Sequence, residues 1–128
     1  MNPLALTISH GEWPYRTLSR LRDTLRREHE EHSAAFREPI ERGGADSADV
    51  AAERREQAEL LAELRAEESA LTEIEAALER IRRGTYGVCE VTGEPISGAR
   101  LRAVPWTRFS AQAAAQREKS KIVPPPRG

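Results

Sequence analysis

The chain has a single cysteine, Cys89, in 128 residues. No internal disulfide can form, which fits a reducing compartment. A structural zinc site is four-coordinate and built from Cys and His, so one thiolate does not make one. No apolar run approaches the ~20 residues of a membrane-spanning helix. The N-terminus lacks the basic start and apolar core of a secretory signal. The expectation is a soluble, cytoplasmic protein without a membrane partner. Aromatic residues are only 5% and hydrophobic residues 38%, against 32% charged. That supply is thin for a large globular core and normal for long amphipathic helices. Net charge is −1, without the basic stripe of a duplex binder, so sequence-specific DNA binding is not expected. No nucleophile–base pair, phosphate loop or metal cluster is visible, and the chain does not read as an enzyme.

What is present is helical periodicity. Residues 1–12 carry no sustained period and read as an arm. From Trp13-Pro14 a helix is expected, since Pro suits a first turn. Leu18, Leu21, Leu25, His32 and Phe36 follow steps of three, four, seven and four residues along one stripe. Pro39-Ile40-Glu41-Arg42-Gly43-Gly44 predicts a chain reversal. A second, longer helix follows, with Asp46-Ser47-Ala48-Asp49 suited to cap its start and complement its dipole. Its stripe is Leu60 or Leu61, Leu64, Leu71, Ile74, Leu78 and Ile81, at heptad spacing from Leu64 onward. Gly84 stops it. Two such helices joined by a short loop fold as an antiparallel hairpin. At ~1.5 Å per residue they would make a rod of about 40–50 Å. Residues 85–106 are rich in turn chemistry, with short extended pieces expected around Val88–Val91 and Arg100–Val104. Residues 107–120 return to a helical composition, and 121–128, with three consecutive prolines, read as an extended tail. The fold class is therefore mainly α. An antiparallel coiled-coil hairpin (13–84, tip near 42–51) is followed by a small zinc-finger-like, metal-free globule with a C-terminal helix (85–120).

Cys89 sits in Gly84-Thr85-Tyr86-Gly87-Val88-Cys89-Glu90-Val91-Thr92-Gly93-Glu94-Pro95-Ile96. The frame reads like the first half of a four-cysteine module, with Thr92 in the second ligand position. Pro105-Trp106-Thr107-Arg108-Phe109-Ser110-Ala111-Gln112-Ala113 reads like the second half, with Ser110 and Ala113 in the remaining two. Zinc is therefore expected to be absent, and packing must do the metal's work. The apolar candidates are Tyr86, Val88, Val91, Ile96, Leu101, Val104, Trp106 and Phe109, each worth roughly 1.5–3 kcal/mol when buried. With no second thiol to resolve an oxidised form, Cys89 reads as a small buried residue. His29 and His32, three residues apart, read as surface coincidence and not as metal ligands. Trp13 and Trp106 read as packing anchors.

A helical hairpin followed by Gly-Thr-Tyr-Gly-x-Cys-x-x-x-Gly-Glu-x-Ile and Arg-Leu-x-Ala-x-Pro resembles the DksA/TraR family of bacterial RNA polymerase-binding regulators. The similarity runs from about Thr17 to Glu118. The family's tip motif Asp-x-x-Asp-x-Ala is matched at the hairpin bend by Asp46-Ser47-Ala48-Asp49-Val50-Ala51. The resemblance implies a hairpin inserted through the secondary channel of RNA polymerase. Asp46 and Asp49 would act near the active centre to alter promoter-complex stability, with Ala51 as the small residue of the motif. A hairpin that packs in cis is expected to be a monomer. The family's basic positions for the alarmone ppGpp align with Glu73, Val104 and Ala114, none basic, so weak or absent ppGpp synergy is expected. Two other roles fit the sequence: Gre-like stimulation of transcript cleavage by the tip carboxylates, and a coiled-coil adaptor or dimerisation module outside transcription. A zinc-free copy also suits zinc shortage or thiol oxidation, conditions under which a cysteine finger fails.

Overall fold

The computed structural model describes residues 8–38 and 47–122. The predicted reversal at Pro39–Gly44, Asp46 and the far tail lie outside the described residues. Four helices follow in order: α1 (Trp13–Arg37), α2 (Ser47–Arg83), α3 (Gly98–Ala103) and α4 (Ala111–Ile122). No strand occurs among the described residues; Val88 and Pro95 form one isolated antiparallel bridge. No described helix is long and apolar enough to cross a membrane. The described residues fall into two compact units, one holding those up to Ser19 and from Glu73 onward, the other Arg20–Thr72.

In the Arg20–Thr72 unit, the later part of α1 lies antiparallel to the earlier part of α2. His29 Nε2 meets Glu68 Oε1 at 3.1 Å and His32 Nδ1 meets Glu67 Oε2 at 2.7 Å. Later residues of one helix thus meet earlier residues of the other. Leu64 is buried, and Leu21, Leu25, Leu60, Leu61 and Leu71 are half-buried. Both members of the Leu60/Leu61 alternative therefore contribute. Phe36, in the last turn of α1, stays exposed. Glu67 fills the step between Leu64 and Leu71 and is only 8% exposed. The apolar stripe thus contains one carboxylate.

In the other unit the buried apolar side chains are Leu18, Ile74, Ala77, Leu78, Ile81 and Tyr86, with a second cluster of Cys89, Ile96 and Ala113. The start of α1 is organised by a turn. Glu12 N–H donates to Ser9 O (3.1 Å), Arg16 N–H donates to Glu12 O (3.0 Å), and Pro14 is buried in the first turn. The end of α2 is a Schellman motif at Gly84 (φ 76°). Gly84 N–H donates to Ile81 O and Thr85 N–H to Arg80 O, at 3.2 and 2.9 Å. A left-handed residue there is tolerated because glycine has no Cβ.

Two local expectations change. Arg100–Ala103 is helical, not extended, and Val104 is the C-cap that follows it. Ser97 caps α3 by accepting from Arg100 N–H at 3.2 Å, and Val104 N–H closes it on Arg100 O at 2.8 Å. The Ser97 N-cap favours a helix over these few residues. The last helix begins at Ala111, not 107, because Thr107–Ser110 form a separate hydrogen-bonded corner, described below.

Candidate functional site

Two places carry candidate function. One is the start of α2. Asp49 lies in its first turn and is exposed, as is Ala51. An acidic group there is favoured by the helix's positive end. Asp46 lies outside the described residues, so the pair is placed only through Asp49.

The other place is the finger remnant. Gly87–Ile96 folds back on itself. Cys89 N–H donates to Glu94 O, Gly93 N–H to Cys89 O and Ile96 N–H to Gly87 O, at 2.8, 2.8 and 2.7 Å. Gly93 turns the chain at φ 74°. Cys89 is 1% exposed and packs with Ile96 and Ala113, with Leu101 and Phe109 against the cluster. Burial alone would push its thiol up. The Thr92 hydroxyl and the backbone N–H groups of Ser110, Thr92 and Val91 outweigh that and bring it down to about 6. The sulfur thus sits in a cradle of donors suited to a thiolate.

The other three ligand positions have taken up separate work. Thr92 Oγ1 also accepts from Glu94 N–H at 3.2 Å. Ser110 caps α4: its Oγ accepts from Ala113 N–H at 3.2 Å and its carbonyl from Ala114 N–H at 2.9 Å. Ala113 presents a methyl group to the core. One thiol, two engaged hydroxyls and a methyl do not fit tetrahedral zinc. No group of three or more His, Cys, Asp or Glu suited to a metal is found among the described residues. His29 and His32 each face α2 carboxylates, so neither is directed at a shared ion.

The cross-links that hold the remnant are polar as well as apolar, and sequence reasoning missed most of them. Tyr86 is buried and its OH donates to Pro105 O at 2.9 Å; burial pushes its phenol up to about 12. Arg80 Nη2 donates to the carbonyls of Trp106 and Thr107, at 3.1 and 3.3 Å. Burial, with Arg108 nearby, lowers the Arg80 pKa. Arg108 reaches Glu73 (2.8 and 3.4 Å) and Glu90 (3.1 Å), and the Glu73 hydrogen bond raises its pKa. Glu90 N–H donates to Arg108 O at 2.9 Å, closing the same corner through the backbone. Arg100 Nε donates to Phe109 O at 2.8 Å, and the buried Thr107 hydroxyl donates to the same carbonyl at 2.9 Å. These ties join α2, the Cys89 turn, α3 and the start of α4, the segments that four cysteines round a metal would otherwise draw together. The available signal was an Arg at each end of the module, Arg80 and Arg108, with no obvious solvent role. Val91 was expected in the core and is 60% exposed, because it rides the outside of the Cys89–Gly93 turn. Arg102 stacks over Trp13 at 4.9 Å and Arg117 over Phe109 at 4.4 Å.

One unit holds a two-helix antiparallel segment and the other a finger-like corner that follows α2 in sequence, which defines the class as a helical protein with a finger-like module. The family model for the prokaryotic dksA/traR C4-type zinc finger matches residues 84–119. The solved structure of transcription factor DksA2 from Pseudomonas aeruginosa superposes with a TM-score of 0.70 at 32% identity, covering 84% of this chain and 82% of that one. The chain belongs to the DksA/TraR family. It is similar to the RNA polymerase-binding transcription factor DksA of Caulobacter vibrioides, 38% identical over 79 residues, 62% of this chain and 56% of that protein. It is also similar to an uncharacterized protein of Aquifex aeolicus, 53% identical over 49 residues, 38% of this chain and 34% of that protein. The chain thus spans about a third to about half the length of these curated relatives.

Proposed function

We propose that the chain is a transcription regulator that binds RNA polymerase through the secondary channel and works without zinc in the cytoplasm. The hairpin carries Asp46 and Asp49 towards the active centre, with Ala51 as the small residue beside them, and the carboxylates alter promoter-complex stability. The globule docks on the rim and positions the hairpin. The observation that carries this reading is the match, in fold and sequence together, to the DksA2 structure and to a relative described as RNA polymerase-binding. The exposed position of Asp49 in the first turn of α2 supports the tip assignment. The donor set at Cys89, Thr92, Ser110 and Ala113 supports the zinc-free assignment. Glu73 is held by Arg108, and with Val104 and Ala114 it offers no cation to a polyphosphate; ppGpp therefore adds little. The active form is a monomer that changes promoter output without catalysis of its own.

The test is a pull-down with core RNA polymerase, followed by promoter-complex lifetimes with Asp46→Asn and Asp49→Asn. Asn still caps a helix but removes the charge. Both variants are expected to bind and to lose most of the regulatory effect. Unchanged regulation by both would overturn the tip assignment. Rapid RNA shortening in a backtracked complex would transfer the carboxylates to a cleavage role.

A further inference from the structure

In the Arg20–Thr72 unit the polar groups of the helix seam are divided by helix. On α2, Leu60, Leu64, Glu67 and Leu71 recur at steps of four, three and four residues, so Glu67 occupies a core position of the heptad. It is only 8% exposed. Its Oε2 meets His32 Nδ1 at 2.7 Å, and its Oε1 is buried without a hydrogen-bond partner. Nearer the start of α2 the same spacing reaches Gln57 and Glu53, both half-buried while their neighbours in sequence are exposed. On α1 the positions that follow Leu21 and Leu25 at steps of four and three are His29 and His32, again half-buried. The carboxylates of this stretch of α1, Asp23, Glu28, Glu30 and Glu31, are all exposed. So are the arginines of this stretch of α2, Arg54, Arg55 and Arg65. The seam thus takes its imidazoles from α1 and its carboxylates from α2.

We infer that Glu67, matched by His32, selects the pairing of α2 with α1 and bars the pairing of α2 with a second copy of itself. A leucine stripe at heptad spacing would otherwise suit a self-associating coiled coil. In a parallel pair of α2 helices Glu67 would face Glu67 of the second copy, two like charges across one seam. In an antiparallel pair it would face a leucine or another seam carboxylate. Neither arrangement sets an imidazole opposite, and a buried carboxylate without a partner is strongly unfavourable. Pairing with α1 keeps the His32 contact and, in the same register, brings His29 Nε2 to 3.1 Å from Glu68 Oε1. A leucine at position 67 would pack better inside the chain and would also open α2 to its own copy. Specificity of this kind lies in the alternative that it excludes. The inference rests on the helix pairing and not on the polymerase reading, and it supplies a physical reason for the monomer proposed there.

The test is sedimentation velocity of the full chain over a rising concentration series at neutral pH, with circular dichroism of each variant. The wild type is expected to remain a monomer. Glu67→Leu should keep or gain helicity and form dimers at concentrations about tenfold or more below any at which the wild type does. His32→Leu removes the partner but leaves the carboxylate. It should melt at a lower temperature than the wild type and still sediment as a monomer. A helical Glu67→Leu chain that stays monomeric through the series overturns the inference. So does a His32→Leu chain that associates as readily as Glu67→Leu, because loosening of the hairpin would then be the cause. A dimeric wild type overturns the inference together with the monomer assignment. Failure of the wild type to bind polymerase, read separately in the pull-down, would overturn the polymerase reading and leave this inference standing.

Discussion

Cys89 is the residue in which ancestry and present chemistry meet. Its sulfur is buried, yet four donors hold its pKa at about 6. The folded value is depressed below the unfolded one of about 8.5. Its stabilisation is therefore full above the unfolded value, and it is lost as pH falls through about 6. Cys89→Ser is predicted to remove this part of the pH slope between about 6 and 8.5, as read by denaturant midpoints. A slope unchanged by the substitution would show that the sulfur does not titrate there. Tyr86 makes the neighbouring case. Tyr86→Phe leaves the Pro105 carbonyl without its side-chain donor and should cost about 1 kcal/mol. A cost near zero in thermal or urea unfolding would mean that water replaces the hydroxyl without loss.

At the scale of elements, the paired segments of α1 and α2 contain a polar step. His32 lies between Glu67 and Glu63, with Nε2 3.6 Å from Glu63, and Glu28 adds to the field on its own helix. The Glu67 hydrogen bond chiefly raises the His32 pKa. A raised histidine contributes stability that is fully present below the unfolded value of about 6.5 and is lost as pH rises through the folded value. Hydrogen exchange in this unit should therefore show more protection near pH 6 than near pH 8, after correction for intrinsic rates. Glu67→Leu should remove most of that difference, leaving the smaller effect of Glu63 and Glu28, and restore an unbroken apolar stripe; a pH difference of undiminished size would place the titrating group elsewhere. The other element to test is α4. Ser110→Ala removes its cap and should cost about 1 kcal/mol. An unaltered denaturation midpoint would deny the cap its role.

The elements also show why some features were legible in sequence and others were not. The Leu64–Ile81 heptads, Pro14 and Gly84 act locally, so pattern alone placed α1 and α2. The six residues of α3 are too few for a period to emerge, and their helix depends on Ser97. Glu67 stands inside the apolar stripe, and a carboxylate there becomes intelligible only with His32 opposite. Thr92 and Ser110 read as lost ligands. Their work as sulfur donor and helix cap depends on chain reversals that bring distant backbone groups together. Arg80 and Arg108 act across separations of 26 and 35 residues, which no local pattern records.

At the scale of the whole molecule, the proposed function assigns the tip carboxylates to the hairpin and leaves the finger-like corner to be held by hydrogen bonds and apolar packing. A metal-bound finger draws on about 10 kcal/mol or more of apparent binding free energy. In the proposed zinc-free form the cluster round Cys89 and Ile96, the Arg108 network and the Arg80 ties serve instead. Chelator and mild peroxide should therefore leave helicity by circular dichroism unchanged; loss of helix on chelation would point to a bound metal. The most direct measurement is the lifetime of promoter complexes formed by RNA polymerase with the chelator-treated chain. An altered lifetime is expected with the wild-type chain, and a largely abolished effect with Asp49→Asn, which still binds. A lifetime unaffected by a chain that demonstrably binds polymerase, or an effect that the chelator removes, would contradict the proposed function.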